Sequence, residues 1–122
     1  IGLTEEKARE RYEIAVSTVQ FDEYPRSIID GRPAGFCKMI ADKKTRKILG
    51  CHVVGERAVE TVQLVAAGMK AGLTVEQLAE LPLSFPTYVA IVSWAAYEIV
   101  EQLGLAAGVP RWLRHPKRKS QA

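Results

Sequence analysis

Hydrophobic and polar positions change their period midway along this chain. Residues 13–19, Glu-Ile-Ala-Val-Ser-Thr-Val, are β-branched and roughly alternating, which predicts a half-buried strand. Two further apolar runs, residues 35–41 and 47–55, flank the polar Asp42-Lys43-Lys44-Thr45-Arg46, and this arrangement predicts a β-hairpin. Residues 21–33 hold Asp30-Gly31 and two prolines and read as an irregular loop. After Arg57 the period becomes helical. Ala58, Val62, Val65 and Met69 fall on one face of a helix over 57–71 that Gly72 can end. Thr74-Val75-Glu76-Gln77 has the spacing of a capping box, opening a short helix that Pro82 stops. Pro86 suits the first turn of a third helix reaching about Leu103. Strands first and helices after predict an α+β fold, an antiparallel β-sheet packed with helices on one side.

The third helix is apolar nearly all round. From Val89 to Val100 only Ser93 and Glu98 are strongly polar. One sheet face covers one side of such a helix, so the other side needs a partner. A second copy of the chain is the simplest partner, which predicts a homodimer with this helix near the twofold axis. A central core helix within a monomer is the alternative.

At 122 residues and 48% hydrophobic, the chain suits one domain, expected over 13–104. Thr4-Glu5-Glu6-Lys7 caps a short charged helix, and residues 1–12 read as a connector from a missing upstream region. No apolar run reaches the roughly 18 residues of a membrane span and no signal peptide opens the chain, so the expectation is a soluble, cytoplasmic domain with no membrane partner.

Charge and cysteine change this picture little. Five of the 17 basic residues, Arg111, Arg114, Lys117, Arg118 and Lys119, lie in a tail over 105–122 that has no acid, so the body is mildly acidic against 14 Asp and Glu. Such a tail is more often a solvated end than a nucleic-acid groove, and nucleic-acid binding is not expected. Trp112 either anchors this tail on the body or goes with it. Cys37 and Cys51 sit in strand-like runs and read as core residues, with a disulfide across the hairpin as the alternative. His52, in the second hairpin strand, reads as structural, and Glu56, Arg57 and Glu60 as helix-start electrostatics. With His52 and His115 the only histidines, ligands for a metal site are lacking.

Several segments together carry a resemblance. They are Gly35-Phe36-Cys37-Lys38, Asp42-Lys43-Lys44-Thr45, Ile48-Leu49-Gly50-Cys51-His52-Val53-Val54-Gly55, Ala67-Gly68-Met69-Lys70-Ala71-Gly72-Leu73-Thr74 and Leu78-Ala79. In this order they resemble the C-terminal dimerisation domain of the FAD-dependent pyridine nucleotide-disulfide oxidoreductases, a family that includes dihydrolipoamide dehydrogenase, glutathione reductase and mercuric reductase. The resemblance implies a parent enzyme that passes electrons from NADH or NADPH through FAD to an acceptor, with FAD- and NAD(P)-binding domains upstream. No G-x-G-x-x-G and no C-x-x-x-x-C stand in this chain, so activity is not expected of it alone.

In lipoamide and glutathione reductases the resemblance places His-Pro-Thr, followed shortly by Glu, at this chain's Phe85-Pro86-Thr87 and Ala90. That His is an acid/base for the other subunit's dithiol, oriented by the Glu. Neither Phe85 nor Ala90 can move a proton, so no catalytic residue is assigned. Mercuric reductases are locally more similar, since they commonly have Phe-Pro-Tyr here and need no such His. Thr87 takes that Tyr's place with Tyr88 one position later, and the tail lacks the Cys-Cys pair usual in mercuric reductases.

By resemblance, Phe85 and Pro86 approach the partner's flavin edge, Phe85 forming an apolar wall, unless Phe85 simply staples the helix start. Thr87 and Tyr88 are candidates for the substrate pocket, with helix capping and an interface role as their respective alternatives. Phe85, Tyr88, Val89, Ile91, Val92, Trp94 and Ala95 are the expected dimer contacts. The reading from another class is a stand-alone interaction module whose basic tail binds an acidic partner or nucleic acid.

Overall fold

The computed structural model describes residues 1–105; residues 106–122 of the expected tail, with its five basic residues and Trp112, lie outside the described residues. Three antiparallel strands, β1 (Ile14–Gln20), β2 (Phe36–Asp42) and β3 (Ile48–Val54), pair in the order β1-β2-β3. The register sets Val16 opposite Ile40 and Ile40 opposite Gly50. Alternate residues therefore divide between two faces. Ala15, Val19, Cys37, Met39 and Cys51 are buried under helices α3 (Ala58–Lys70), α4 (Val75–Ala79) and α5 (Ile91–Gln102). Helix α5 lies on β1 and β2, α3 on β3, and α4 packs against α5.

The opposite sheet face carries a smaller core. Ile14 and Ile40 pack there with Ala8 of helix α1 (Glu5–Arg9) and with Leu3, Val16 and Leu49. The first residues run along the β3 edge, where the Leu3 amide donates to the Leu49 carbonyl (2.9 Å) and the Cys51 amide to the Ile1 carbonyl (3.0 Å). Gly50 permits this approach, because a Cβ there would stand 2.1 Å from the Leu3 carbonyl oxygen. Residues 1–12 are thus folded onto the sheet.

Residues 21–33 are more regular than a loop reading allows. A 3-10 turn (Phe21–Glu23) leads into a short helix, α2 (Pro25–Ile29). Pro25 sits at the first helical position, where its missing N–H costs nothing, so here proline starts a helix. The buried Ser27 hydroxyl bonds the Phe21 and Tyr24 carbonyls and ties the two turns together.

Of the line Ala58, Val62, Val65 and Met69 that the spacing predicts, Val65 is fully buried and Met69 packs against the core, while Thr61 and Gly68 complete the buried line in place of Ala58 and Val62. Thr74 and Gln77 do form the predicted capping box.

Two expectations for the third helix are corrected. It begins at Ile91 rather than at Pro86, because the Thr87 side chain folds the preceding segment into a turn of its own. Its apolar circumference is also covered within one chain. Ile91, Val92 and Ala95 are buried in the main core, with the sheet on one side and α4, through buried Leu78 and Ala79, packed against the helix. The premise that a second copy must cover this helix therefore fails for these three expected contacts.

Candidate functional site

The turn between α4 and α5 carries the residues singled out by sequence, and its own bonds hold it together. The Thr87 hydroxyl donates to the Ser84 carbonyl (2.7 Å) and accepts from the Ala90 amide (3.2 Å). The hydroxyl is therefore engaged locally, in the manner of a helix cap. The Phe85-Pro86 peptide bond is cis.

Phe85 stands out from this turn. Its side chain is large and apolar, yet the residue is 56% exposed. One face is supported by the half-buried Trp94, the two rings stacked at 6.2 Å and 16°. Tyr24, fully buried, meets both edge-on, at 5.1 Å from Trp94 and 6.3 Å from Phe85. Such edge-to-face contacts suit the quadrupoles of the rings.

Two phenol hydroxyls fasten the turn to the segment around α2. Tyr24 donates to the Thr87 carbonyl (2.5 Å). Tyr88, only 8% exposed, donates to Asp30 Oδ2 (2.9 Å) and packs its ring 6.0 Å from Phe21. Asp30, the C-cap of α2, is also bonded by the Arg26 guanidinium. These bonds, Arg26 first and Tyr88 next, hold the Asp30 carboxyl below its ordinary range. Burial drives the Tyr24 phenol well above its ordinary range, so it remains a donor at neutral pH.

The expected residues thus separate by environment. Phe85 is exposed, and Pro86, Val89 and Trp94 are half-buried. Thr87 and Tyr88 spend their hydroxyls on internal bonds. Ala90, only 4% exposed, lies in the main apolar core, so neither it nor Phe85 offers a titratable atom. Tyr24, Arg26 and Asp30 were not visible as site residues from sequence, where residues 21–33 read as a loop; the signals available were Pro25 as a helix start and the four-residue spacing of Arg26 and Asp30.

The remaining candidates are structural in this fold. Cys37 and Cys51 are buried free thiols with their sulfurs 3.9 Å apart, on one sheet face. The His52 Nε2 pairs with the Leu3 carbonyl oxygen (2.9 Å) and helps hold the N-terminal segment to the sheet edge. Arg57 takes a left-handed conformation (φ 57°) ahead of α3, and its carbonyl accepts from the Thr61 hydroxyl (2.8 Å). Among the described residues, no group of three or more His, Cys, Asp or Glu could hold a metal ion. No described helix is long and apolar enough to cross a membrane.

Residues 1–96 match the family described as the dimerisation domain of pyridine nucleotide-disulphide oxidoreductases. The chain belongs to this family. A mercuric reductase from Lysinibacillus sphaericus is 41% identical over 81 residues, which are 66% of this chain and 15% of that protein. A dihydrolipoyl dehydrogenase from Chlorobaculum tepidum is 32% identical over 105 residues, 85% of this chain and 22% of that protein. Among solved structures, the HOCl-induced flavoprotein disulfide reductase RclA from Escherichia coli superimposes with a TM-score of 0.74 at 29% identity, covering 78% of this chain and 22% of that one. The chain therefore spans less than a quarter of the length of these relatives. The α+β arrangement of the dimerisation domain, with its sheet and covering helices, is the one the relatives share.

Proposed function

We propose that this dimerisation domain serves a larger FAD-dependent oxidoreductase that takes electrons from NADH or NADPH. In this reading two copies of the protein associate, and Phe85 with Pro86 closes the partner subunit's flavin and disulfide site. The observation that carries it is the exposure of Phe85. An aromatic ring backed by Trp94 and Tyr24 and left open on its other side is built to be covered by something else.

The residues fit a flavin as a wall and not as a cradle. Phe85 and Pro86 offer apolar surface that excludes water, while the chain contributes no glycine-rich phosphate loop. FAD held by neighbouring domains would supply the electron transfer. Phe85 and Ala90 neither hold nor move a proton, so an acceptor that needs no proton from this domain fits best. Mercuric ion is one such acceptor, and its place here rests on the similarity to mercuric reductases and on the Phe-Pro pair.

The test uses the full-length holoenzyme. Replacing Phe85→Ala should increase quenching of flavin fluorescence by iodide and leave the dimer intact by light scattering. Unchanged quenching in a folded dimer would remove Phe85 from the flavin site.

A further inference from the structure

We propose that Asp30, held by Arg26, is a positioning residue that fixes the Phe85 turn through the Tyr88 hydroxyl. The segment around α2, rather than α5, then determines where the Phe85 ring stands. The functional weight of this inference rests on Phe85 being a wall of the partner's site, whereas its geometry stands by itself.

Phe85 cannot hold itself in place. It is more exposed than buried, and its ring contacts are the stacking on Trp94 and the edge-on approach of Tyr24. Such contacts resist sliding weakly, because dispersion between a few atom pairs is small and non-directional. What can fix the ring is its backbone. The turn behaves as one unit, since Thr87 links Ser84 to Ala90 through a single hydroxyl.

That unit is fastened at two adjacent residues, and both fastenings run to residues 24–30. One is the Tyr24 hydroxyl on the Thr87 carbonyl. The other is the Tyr88 hydroxyl on Asp30. The second is charge-assisted, its acceptor being the carboxylate of Asp30, a residue that is itself exposed to solvent. Arg26, one helical turn before Asp30, bonds the same carboxylate and holds it toward Tyr88. Arg57, at the start of α3, adds its positive charge to the field at Asp30. The chain Arg26, Asp30, Tyr88 therefore ends two residues beyond Pro86 and three beyond Phe85.

The experiment uses the 122-residue chain and reads the position of the ring by NMR. Phe85 ring resonances and their cross-relaxation with Trp94 are followed in the native chain and in Tyr88→Phe, Asp30→Asn and the double variant. Loss of the Phe85–Trp94 cross-peaks in both single variants, with no further loss in the double variant and with native far-UV circular dichroism, supports the proposal. Retained cross-peaks and unshifted Phe85 resonances in the single variants overturn it. Should Asp30→Asn fail to fold, Tyr88→Phe, which removes one oxygen and preserves the ring, decides alone. The Phe85→Ala measurement in the holoenzyme separates the two readings. Lost cross-peaks together with unchanged flavin quenching would support the positioning role and overturn the wall, and the reverse pair of results would do the opposite.

Discussion

Tyr24 joins the hydrogen bonds of the Phe85 turn to its ring contacts, and replacing Tyr24→Phe divides the two. The substitution keeps the ring, its edge-on approach to Trp94 and its full burial, and it removes only the hydroxyl. The Thr87 carbonyl then loses the donor that reaches it at 2.5 Å. A lost internal hydrogen bond costs about 1 kcal/mol, and an acceptor left without its partner raises this to about 1–2 kcal/mol. For a chain of this size that lowers Tm by about 4–8 °C. Tyr24→Ala also deletes the ring between Trp94 and Phe85 and leaves a cavity, for a total of about 3–5 kcal/mol. The pH dependence gives an internal control. The folded-state pKa of this phenol is raised above its ordinary value of 10.0, so the stability that the native chain holds over the Tyr24→Phe variant is constant below that value and falls only as pH rises past it. Urea denaturation of the native chain and the two variants at pH 6, 7 and 9 measures both losses and should give the same difference at each pH. A Tyr24→Phe chain within ~0.3 kcal/mol of the native one would refute the claim that this bond fastens the turn.

Other expected outcomes follow from the same packing. Gly50→Ala brings a Cβ to 2.1 Å from the Leu3 carbonyl oxygen, a backbone atom. It should cost about 1–3 kcal/mol and release the N-terminal segment, seen as lost hydrogen-exchange protection at the Leu3 and Cys51 amides; intact protection would contradict the strap. Burial, with Glu23 and Glu101 nearby, pushes the Glu98 carboxyl up to about 7. Its ionisation therefore opposes folding increasingly as pH rises from the ordinary carboxylate range through 7, so Glu98→Gln should stabilise by on the order of 1 kcal/mol at pH 8, allowing for partial exposure, and by nothing at pH 4. A pH-independent difference in denaturation midpoint would refute that sign. Ala90→Glu should destabilise by about 2–4 kcal/mol, because it puts a carboxylate into an apolar core. Adding Phe85→His should recover part of that loss in a double-mutant cycle, and strict additivity would show that the two positions do not interact.

Legibility in the sequence followed the range of the interaction involved. The hairpin and the Thr74/Gln77 capping box were readable because each is decided by residues close in the chain: two apolar runs around a polar turn, and a hydroxyl and an amide three positions apart. The helix α2 was not readable, because Pro25 marks a helix start as well as a loop, and what settles the matter is burial of Phe21 and Tyr24 beneath distant residues. The phase of α3 was read only in part, through Val65 and Met69, for a similar reason. Its inward line includes Thr61 and Gly68, a hydroxyl that bonds its own helix and a residue with no side chain, and a hydrophobic count weighs neither. The covering of α5 by α4 is a tertiary fact, and an all-round apolar helix carries the same sequence signature whether its second neighbour belongs to the same chain or to another. The Tyr88 and Asp30 partnership spans 58 residues and follows from the fold alone.

Ala90 and Asp30 together suggest why the departure from the His/Glu pair leaves an ordered turn. By resemblance, a Glu at position 90 would orient residue 85 from the same turn, and a carboxylate there is tolerable only with a charged partner to bond it. With Phe85 in place of His that partner is gone, and Ala90 fills the apolar core at no cost in desolvation. The turn still needs orienting, because an exposed aromatic ring with support on one face would otherwise drift. A carboxylate at the C-cap of α2 can do this without entering the core, since Asp30 lies where Arg26 bonds it and reaches the turn through a phenol rather than through residue 85 itself. On this reading charge is used to place an uncharged wall, and the ionised group stays outside the site it shapes.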